Sequence, residues 1–359
     1  MKQRQALDQS HFRVKGLLGN THVQSLLASS KVRRHLKSNN YSALIANQRS
    51  GLFDGGDGIR LHAYYSLHSG QEHPGNNKLV IMIHGWEGSA DSTYLLSAAS
   101  ALFNEGYAIL RLHLRDHGPS THLNRELFHA ARLDEVIHAI KDAQMRFPAY
   151  AFYLVGFSLG GNFALRISQR AREKAIFLQH VVAVSPVFSP AQTMQALEMG
   201  PAIYRAYFLK KWKRALQSKQ SCFPELYNFQ HLNSNTSLMN ITEHLVTAHT
   251  HFDSVDDYFD SYTLQARDFE ETSILTDVIL AADDPVIPLA GTEAFSSSHK
   301  FRLRIFPKGG HCGFIQNWRF ESWLDNELIR LFSSQEAIQN TASSFTTHPQ
   351  KQGDRHDIQ

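Results

Sequence analysis

The sequence is poor in cysteine and has no long apolar run, and these two absences limit the class of protein it can encode. It contains two cysteines, Cys222 and Cys312, among 359 residues, too few for the disulfide framework of a small secreted protein. Its most apolar stretch, KLVIMI from residue 78, has the length of a strand and not of a membrane-spanning helix. The first residues, MKQRQALDQSHFRVKG, carry charge but lack the apolar segment of a signal peptide. We therefore expect a cytoplasmic protein without a transmembrane segment, for which peripheral contact with lipid stays open.

A strong charge of either sign is also missing. Lys and Arg total 36 and Asp and Glu total 33, so the formal net charge is +3 at pH 7, which argues against nucleic acid as a partner. Hydrophobic residues make up 42% of the chain and charged residues 19%, a composition typical of a globular protein with a sizeable core. A chain of this length can form one large α/β domain with an insertion, or two modest domains.

The most informative stretch present is AFYLVGFSLGGNFALRISQRA, residues 151–171. Its apolar start predicts a buried strand, and the spacing of apolar residues after Leu159 predicts a helix with one packed face. Between them Gly156 and Gly160 flank Ser158, since a Cβ at either position would crowd a turn this tight. The turn would hold the serine hydroxyl at a helix N-terminus, where free N–H groups favour a developing oxyanion. This G-x-S-x-G pattern predicts a nucleophile elbow; the alternative is a plain turn in which Ser158 caps the helix.

Strand-like and helix-like segments alternate along most of the chain, which predicts an α/β fold with a mostly parallel central sheet and helices on both faces. We assign residues 78–186 and 272–332 to this core. Residues 187–271 show no strand pattern and are predicted to form an α-helical lid over the carboxyl edge of the sheet. Residues 1–77 are predicted to be an N-terminal extension of helix and strands joining the sheet, and the polar residues 333–359 a disordered tail.

Two charged features of the outer segments have alternative interpretations. The sequence DGGDG at 54–58 lacks the spaced carboxylates of a calcium loop and predicts a hairpin turn. In the predicted lid, the basic cluster Lys210, Lys211, Lys213 and Arg214 is either a solvated helix face or a contact for a lipid headgroup or a phosphate.

A catalytic serine needs a base to accept its proton and a carboxylate to orient that base. Downstream of Ser158, the predicted strand VILA is followed by Asp283 and Asp284, and a later strand is followed by His311 in RIFPKGGHCGF. The order serine, aspartate, histidine, with the acid and the base each just after a strand, is the order such a triad takes on this kind of sheet. Adjacent residues leaving a strand point in different directions, so only one aspartate can face the histidine. Cys312 has no elbow and is expected to be structural.

An oxyanion needs two N–H donors as well. Leu159 follows the serine and offers its N–H at the start of the helix. The second donor is expected in the loop IMIHGWEGS after the first core strand, where Gly85 lets the chain turn and the N–H of Trp86 can point inward. In the same loop, His84 is expected to make an orienting hydrogen bond and not to act as a base.

Seven stretches together resemble one family: GNTHVQSLL, HGWEGSADSTY, LNRELFHAARLDEV, GFSLGGN, HLVTAHTHFDSVDDYF, AADDPVIP and GGHCGF. They span most of the chain apart from the tail, and they resemble the YheT-like branch of the α/β-hydrolase superfamily, which is related to the mammalian α/β-hydrolase-domain proteins one to three. The resemblance implies an α/β-hydrolase fold, esterase or lipase-like activity on small-molecule acyl esters, and no cofactor. By motif position it implies a triad of Ser158, Asp284 and His311, because in this fold a segment like DPVIP follows the acid. Asp283 is then expected to cap the loop or meet solvent.

The chain departs from this family at two positions. The loop after the second core strand has Asp116 where the relatives usually have glycine, and the oxyanion loop has Trp86 where leucine is common. Both differences concern the shape of the substrate site and not the reaction class.

Several other histidines are weaker candidates. His129 and Asp134 have the spacing of an acyltransferase motif, but a capping or ion-pair role at a helix start is favoured. His113 and His117 have no third ligand nearby, so no metal site is expected. His251 is a candidate for the lining of the substrate pocket.

These predictions favour a carboxylic-ester hydrolase that works through an acyl-enzyme on Ser158. An acyltransferase or a thioesterase with the same triad is the alternative, since it differs only in the acceptor or the leaving group. A non-catalytic binding protein on this fold is disfavoured because no triad member is missing. A haloalkane dehalogenase would need an acid in place of the serine.

Overall fold

One mixed sheet forms the frame of the molecule. The computed structural model describes residues 12–68, 77–230, 232 and 236–345. Within these residues the strands are β1 (Gln48–Asp54), β2 (Arg60–Ser66), β3 (Asn77–Ile83), β4 (Ala108–Leu112), β5 (Tyr150–Phe157), β6 (His180–Val184), β7 (Leu275–Ala281) and β8 (Phe301–Phe306). They hydrogen-bond in the order β1-β2-β4-β3-β5-β6-β7-β8. The pairs β1–β2 and β2–β4 are antiparallel, and every later pair is parallel.

Helices cover both faces of this sheet. In chain order, the α-helices of the described residues are α1 (Thr21–Ser29), α2 (Lys31–Leu36), α3 (Ser42–Ala46), α4 (Thr93–Asn104), α5 (Leu133–Arg146), α6 (Leu159–Arg170), α7 (Pro190–Met199), α8 (Ala202–Cys222), α9 (Leu238–His249), α10 (Val255–Asp260) and α11 (Trp323–Phe345). α4 and α11 pack on one face of the sheet, and α5 and α6 on the other. The predicted α/β fold class is confirmed. No helix in the described part of the chain is long and apolar enough to cross a membrane, and the cytoplasmic location stays a prediction.

The alternation inside β3 shows how the sheet divides the core. Leu79, Ile81 and Ile83 belong to the apolar cluster of α5 and α6, whereas Val80 and Met82 belong to that of α4 and α11. This is the two-residue period of a strand. All five side chains are fully buried. A strand that is apolar on both faces is stable only between two helical layers, which is why KLVIMI has no polar alternation.

The parallel strands bring four loops to one edge of the sheet. β3 leads into the loop of Trp86, β5 directly into Ser158, β7 into the loop of Asp284, and β8 into the loop of His311. Parallel strands end at a common edge, so residues far apart in the sequence can meet there. The helical insertion, residues 187–271 with α7 to α10, lies between β6 and β7.

The helical insertion contains one break that its apolar pattern does not predict. The pattern predicts helix from 194 to 220, but α7 ends at Met199 and α8 begins at Ala202. Gly200 between them is extended, with φ −79° and ψ −170°. Pro201 explains the break, because proline disfavours a helical residue before it and has no N–H to continue the hydrogen bonds of α7.

The N-terminal segment contributes α1 to α3 and the first two strands. β2 pairs with β4, which joins this segment to the sheet. The sequence DGGDG forms the turn between β1 and β2, where Gly55 N–H donates to the carbonyl of Ile59 at 2.9 Å, so the hairpin prediction is confirmed. Residues 1–11 and 69–76 of the predicted extension lie outside the described residues.

The last helix runs past the point where the tail was predicted to begin. Disorder is predicted from residue 333, but α11 extends to Phe345. The sequence between Trp323 and Phe345 contains no glycine or proline that would stop a helix, and it includes helix formers such as Glu336 and Ala337. The prediction is therefore wrong for 333–345. The rest of the predicted tail, residues 346–359, lies outside the described residues.

Candidate active site

Ser158 lies in a strained turn directly between β5 and α6. Its backbone angles are φ 55° and ψ −120°, a conformation that residues with a side chain rarely adopt. Its N–H donates to the carbonyl of Val184 at 2.9 Å, which fixes the turn to β6. A Cβ on Gly156 would lie 2.1 Å from the carbonyl oxygen of Gly160, and one on Gly160 would lie 2.3 Å from that of Ile83. The turn therefore needs both glycines.

His311 bridges Ser158 and Asp284. Its Nε2 lies 3.0 Å from Ser158 Oγ, and its Nδ1 lies 2.9 Å from Asp284 Oδ2. The other carboxylate oxygen of Asp284 accepts the N–H groups of Val286 at 2.8 Å and Ile287 at 3.0 Å. These bonds hold the buried carboxylate in one orientation, with Oδ2 directed at the imidazole. The structure thus brings together the three side chains that the sequence predicts as a triad.

Asp283, the neighbouring aspartate, contacts the histidine loop and not the imidazole. Its Oδ1 accepts the N–H of Gly310 at 2.9 Å, and its Oδ2 lies 3.8 Å from Lys308 Nζ. Its backbone carbonyl accepts a hydrogen bond from the hydroxyl of Thr21. The two aspartates therefore have different partners: Asp284 orients the side chain of His311, and Asp283 holds the loop that carries it.

The backbone N–H groups of Trp86 and Leu159 have no acceptor in the part of the chain that the structure describes. Leu159 is the first residue of α6, where a helix offers no acceptor to its own N–H. On both sides of Trp86 the amides are fixed, since the N–H of Gly85 donates to a tyrosine hydroxyl at 2.9 Å and that of Glu87 to an imidazole at 3.1 Å. Two unbonded donors, one in the loop after β3 and one at the start of α6, are what an oxyanion requires.

An apolar cavity opens beside Ser158. Phe128 and Val286 line it from the core, and Met194, Leu197, Phe208 and Val246 line it from the helical insertion. His249 also lines the cavity, whereas His251 packs against Phe252 with ring centres 4.2 Å apart. At the end of α9 the cavity lining consists of His249 and Thr250 and does not include His251, so the expectation that His251 lines the cavity is wrong.

Trp86 forms the contact between the oxyanion loop and the helical insertion. Its ring stacks on Phe208 with centres 5.1 Å apart and planes 10° from parallel. Trp212 packs against it edge-on, with centres 4.9 Å apart. Aromatic pairs in these geometries stabilise each other beyond the area they bury. The tryptophan that departs from the family pattern thus serves as the docking point for α8.

Residues 80–320 match the sequence profile described as the Alpha/beta hydrolase family. This is more than half of the chain. The protein belongs to that family. Among curated relatives, Escherichia coli YheT, to which an esterase activity is attributed, is 24% identical over 262 residues, which is 69% of this chain and 74% of YheT. The embryogenesis-associated protein EMB8 of Picea glauca is 23% identical over 68% of this chain and 55% of its own length. The human protein ABHD15 is 26% identical over 63% of this chain and 49% of its own length.

These relatives confirm the YheT-like resemblance of the sequence, although the chain spans only about half the length of the last two. Solved structures of similar fold include a membrane phospholipase A described as a bacterial virulence factor, with a TM-score of 0.54 and 13% identity over 85% of this chain and 91% of that one. The serine hydrolase CCSP0084 of Cycloclasticus zankles has a TM-score of 0.52 and 18% identity over 80% of this chain and 98% of that one. At these identities the likeness shows the fold alone.

The hydrogen bond to Asp284 changes the basicity of His311 in this α/β hydrolase. Burial alone would lower the pKa of the imidazole, but the adjacent Asp284 carboxylate outweighs it and raises the pKa well above its ordinary value. The carboxylate stabilises the imidazolium that forms when the histidine accepts a proton. The same bond fixes the tautomer, because Nδ1 must carry the hydrogen and Nε2 must be free to accept the proton of Ser158.

Three buried histidines fasten the oxyanion loop by accepting backbone N–H groups. His117 Nε2 accepts from Glu87 at 3.1 Å, and His113 Nε2 accepts from Ala90 at 3.1 Å. His84 Nε2 accepts the N–H of Leu114, in the loop after β4, at 3.2 Å. Its Nδ1 lies 2.8 Å from the carbonyl oxygen of Gly85. These bonds are the orienting role predicted for His84. In the described residues, no group of three His, Cys, Asp or Glu side chains is arranged to hold a metal ion.

These histidines must stay neutral to accept an N–H, and their surroundings enforce this. Burial, with the neighbouring His62 as a second cause, lowers the pKa of His113 from 6.5 to about 3. Burial lowers the pKa of His117 from 6.5 to about 4. Between these values and pH 6.5 the unfolded chain binds more protons than the folded one. The stabilisation by neutral His113 and His117 is therefore complete above pH 6.5 and is lost as the pH falls toward 4.

We expect the free energy of unfolding to fall by about 1.4 kcal/mol per pH unit for each of His113 and His117 between pH 6.5 and about 4. Urea unfolding of the wild type and of His117→Gln at pH 7 and pH 5 measures this. The wild type should lose more stability than the variant over that interval, because the glutamine does not titrate. His122→Gln, at an exposed histidine, is the control and should follow the wild type. Equal losses in wild type and His117→Gln would refute the role given to His117.

His129 and Asp134 do not form a joint site. Asp134 lies exposed in the first turn of α5, with its Oδ1 3.8 Å from Lys174 Nζ. This is the ion-pair role that the sequence favours. His129 lines the apolar cavity, and burial, together with nearby positive charge, lowers its pKa to about 3. A histidine that stays neutral to such low pH lines the cavity and does not serve as a general base.

Asp116, the second departure from the family, ties α8 to the core. Its φ of 61° is in the region that glycine adopts most easily. One carboxylate oxygen accepts the N–H of Phe128 at 2.8 Å, and the other lies 2.8 Å from the ammonium of Lys219. Lys219 also donates to the carbonyls of Asn124 at 2.6 Å and Glu126 at 3.0 Å. The aspartate therefore serves the docking of the helical insertion, and it also holds the backbone of Phe128, which lines the apolar cavity.

Lys219→Met should lower the free energy of unfolding by about 3–5 kcal/mol, because it leaves the carboxylate of Asp116 buried without its cation. The side chain of Lys219 is 1% exposed and that of Asp116 is 9% exposed, so water cannot replace the lost partner. Chemical denaturation measures the loss. Lys210→Met, at an exposed position of the same helix, should change stability by less than about 0.5 kcal/mol. A loss below about 1 kcal/mol in Lys219→Met would contradict the role of the ion pair between Lys219 and Asp116 in holding α8 to the core.

Side chains of α1 support the site, a role that the apolar pattern of the helix does not predict. His311 N–H donates to Ser25 Oγ at 2.9 Å. Gln24 is fully buried, and its amide donates to the carbonyl of Ile315 at 2.9 Å and accepts the N–H of the same residue at 2.7 Å. Gln24 and Ser25 thus hold the loop that positions the histidine, and the hydroxyl of Thr21 donates to the carbonyl of Asp283 in the loop after β7. The stretch GNTHVQSLL, which resembles the family, contains all three residues and is the signal of their role in the sequence.

Proposed function

We propose that the protein is a serine hydrolase that cleaves carboxylic esters. Ser158 is the nucleophile, His311 is the general base and then the general acid, and Asp284 is the carboxylate that orients the histidine. One observation carries the proposal: His311 is within hydrogen-bond distance of both partners, at 3.0 Å from Ser158 Oγ and 2.9 Å from Asp284 Oδ2. The esterase activity attributed to the relative YheT supports the same class of reaction.

In the first half of the reaction, Ser158 Oγ bonds to the carbonyl carbon of the ester while its proton moves to His311 Nε2. The carbonyl oxygen becomes an oxyanion and is stabilised by the N–H groups of Trp86 and Leu159, which have no other acceptor among the described residues. The C–O bond to the alcohol then breaks, and the alcohol leaves with the proton from His311. In the second half, water attacks the acyl-enzyme by the same route and releases the carboxylic acid.

The apolar cavity is proposed to hold the acyl chain, with the helical insertion as its lid. The support is that the insertion supplies much of the cavity lining and meets the oxyanion loop through Trp86. Burying an acyl chain among aliphatic and aromatic side chains is favourable by about 0.8 kcal/mol per CH2 group. The cavity therefore favours acyl chains over polar or charged acids.

The rate should depend on pH through His311. The neutral imidazole is the base, so kcat/KM is lost as the pH falls through the pKa of His311 in the free enzyme. Since Asp284 raises that pKa, the acid limb of the pH profile should have a midpoint above the roughly 6.5 of a free imidazole. Asp284→Asn should move the midpoint to lower pH in its residual activity. An unchanged midpoint in Asp284→Asn would contradict the pairing.

A panel of nitrophenyl esters of rising acyl chain length tests the proposal, run beside acyl-coenzyme A thioesters with and without an alcohol acceptor. We expect ester hydrolysis with one optimum chain length, set by the apolar cavity. Acyl transfer that outruns hydrolysis, or turnover of thioesters alone, would replace the proposed function by the acyltransferase or thioesterase alternative. No turnover of any ester by a folded protein would reject it.

A further inference from the structure

Ser158 lies where two cavities of different character meet. The first is the apolar cavity. The second also reaches Ser158 and His311. Besides aromatic side chains, its lining contains charged groups of α2, the oxyanion loop and α8, namely Lys31, Arg34, Glu87, Asp91 and Lys211, and we call it the polar cavity. The stacked pair of Trp86 and Phe208 lines both cavities and lies at their boundary.

An ester bound at a serine nucleophile needs room for two groups. The acyl chain and the leaving alcohol extend from the reacting carbon in different directions. The apolar cavity suits the acyl chain, because its lining is aliphatic and aromatic. The polar cavity also reaches Ser158 and offers room for the leaving alcohol.

Three cationic side chains line the polar cavity, and each has donors left for a ligand. Lys211 Nζ donates to the carbonyl of Glu87 at 2.6 Å, and an ammonium has two further N–H groups. Arg34 donates through Nη1 to the carbonyl of Asp91 at 3.1 Å, and a guanidinium has four further N–H groups. Lys31 forms no ion pair within the described part of the chain.

The two carboxyl groups of this cavity do not balance these cations. Asp91 Oδ1 lies 3.4 Å from Nη1 of the fully buried Arg111, which already compensates its charge. Burial, opposed by Lys211, raises the pKa of Glu87 to about 7, so this group is partly protonated at neutral pH. The cavity therefore carries an excess of positive charge beside the reacting serine.

We propose, on the basis of the proposed function, that the polar cavity binds a leaving group that carries a phosphate, with Lys31, Arg34 and Lys211 as its ligands. Lysine and arginine side chains are the usual partners of phosphate oxygens. The substrates of this site are acyl esters of a phosphorylated alcohol. Hydrolysis breaks the bond between the acyl carbon and the alcohol oxygen, consumes one water, and releases the carboxylic acid and the intact phosphorylated alcohol.

The test compares two esters that differ only in the phosphate: 1-octanoylglycerol and 1-octanoylglycerol 3-phosphate. For the wild type we expect kcat/KM to be about tenfold higher for the phosphorylated ester, a preference that declines as salt is added. Octanoyl-coenzyme A is the third substrate and distinguishes a phosphate close to the reacting carbon from the more distant phosphates of a nucleotide. A higher kcat/KM for the thioester than for the phosphorylated glycerol ester would overturn the assignment of the phosphate to an alcohol next to the reacting carbon.

Three variants of α8 locate the effect. Lys211→Met keeps the aliphatic stem but removes the charge, and should lower the preference for the phosphorylated ester about tenfold. Lys211→Arg should retain most of the preference. Lys210→Met, at the adjacent exposed position outside the cavity, should retain all of it. Thermal unfolding of each variant checks that the fold is intact.

The outcomes separate this inference from the proposed function. A phosphate preference that falls in Lys211→Met but not in Lys210→Met supports the site. Equal kcat/KM for the two glycerol esters, or an equal loss for both in Lys211→Met, overturns it and leaves the esterase in place. If the wild type cleaves nitrophenyl esters but neither glycerol ester, the inference is also overturned. If it cleaves no ester at all, the proposed function fails and this inference fails with it.

Discussion

Replacing Ser158 by alanine should abolish ester hydrolysis, with kcat lower by about a millionfold. The mechanism needs an oxygen that bonds to the acyl carbon, and in the structure the hydroxyl of Ser158 lies next to the base, 3.0 Å from His311 Nε2. Alanine adds no atom to the crowded turn, and the hydrogen bond from the backbone N–H to Val184 is retained. The variant should therefore fold and unfold like the wild type while it fails to react with a fluorophosphonate probe.

Ser168→Ala is the matched control for this prediction. Ser168 lies on the same helix α6 and is buried, and its hydroxyl donates to the carbonyl of Leu165 at 2.8 Å. The control should keep full labelling and activity. Undiminished labelling of Ser158→Ala would end the assignment of Ser158 as the nucleophile.

Asp284→Asn should lower kcat about ten-thousandfold, because an amide leaves the imidazolium uncompensated and favours the wrong tautomer of His311. The reason lies in the geometry, since Asp284 Oδ2 is 2.9 Å from His311 Nδ1. Its other oxygen, held by the N–H groups of Val286 and Ile287, can remain an amide oxygen. The fold should therefore persist. Steady-state kinetics on the best nitrophenyl ester measures the loss.

Asp283→Asn is the natural comparison, because it makes the same change one residue earlier. Asp283 accepts the N–H of Gly310 at 2.9 Å, and an asparagine oxygen can accept the same bond. We expect a loss of less than about tenfold in kcat. If Asp283→Asn were nearly inactive and Asp284→Asn nearly normal, with both proteins folded, the acid of the triad would have to be reassigned to Asp283.

The features that the sequence predicts well depend on short stretches of chain. The elbow follows from the spacing of Gly156 and Gly160 around Ser158, and the structure places all three within one turn. The α/β fold follows from the alternation of apolar strands and amphipathic helices. The pattern of each segment is recognisable without knowledge of the other segments. The break at Pro201 and the end of α11 are also local features. The apolar pattern predicts neither, because it continues across the proline and gives way to polar residues after Phe332.

The features that could not be predicted depend on residues far apart in the chain. Asp116 and Lys219 are 103 positions apart, and nothing near either residue indicates the other. The same is true of Ser25 and the histidine loop, which are 286 positions apart. The partners of the histidines that hold the oxyanion loop cannot be predicted from the sequence either. Each histidine accepts a backbone N–H, and every residue except proline has one. Such partners follow only from the packed fold.

Intact mass measurement during turnover tests the proposed reaction most directly. The enzyme is mixed with a nitrophenyl ester, quenched with acid in the first milliseconds, and weighed, and the modified peptide is then sequenced by fragmentation. The mechanism predicts a mass increase equal to the acyl group, located on Ser158 and absent from Ser158→Ala. Release of nitrophenol with the acyl group attached to a residue other than Ser158, or undiminished release by Ser158→Ala, would contradict it.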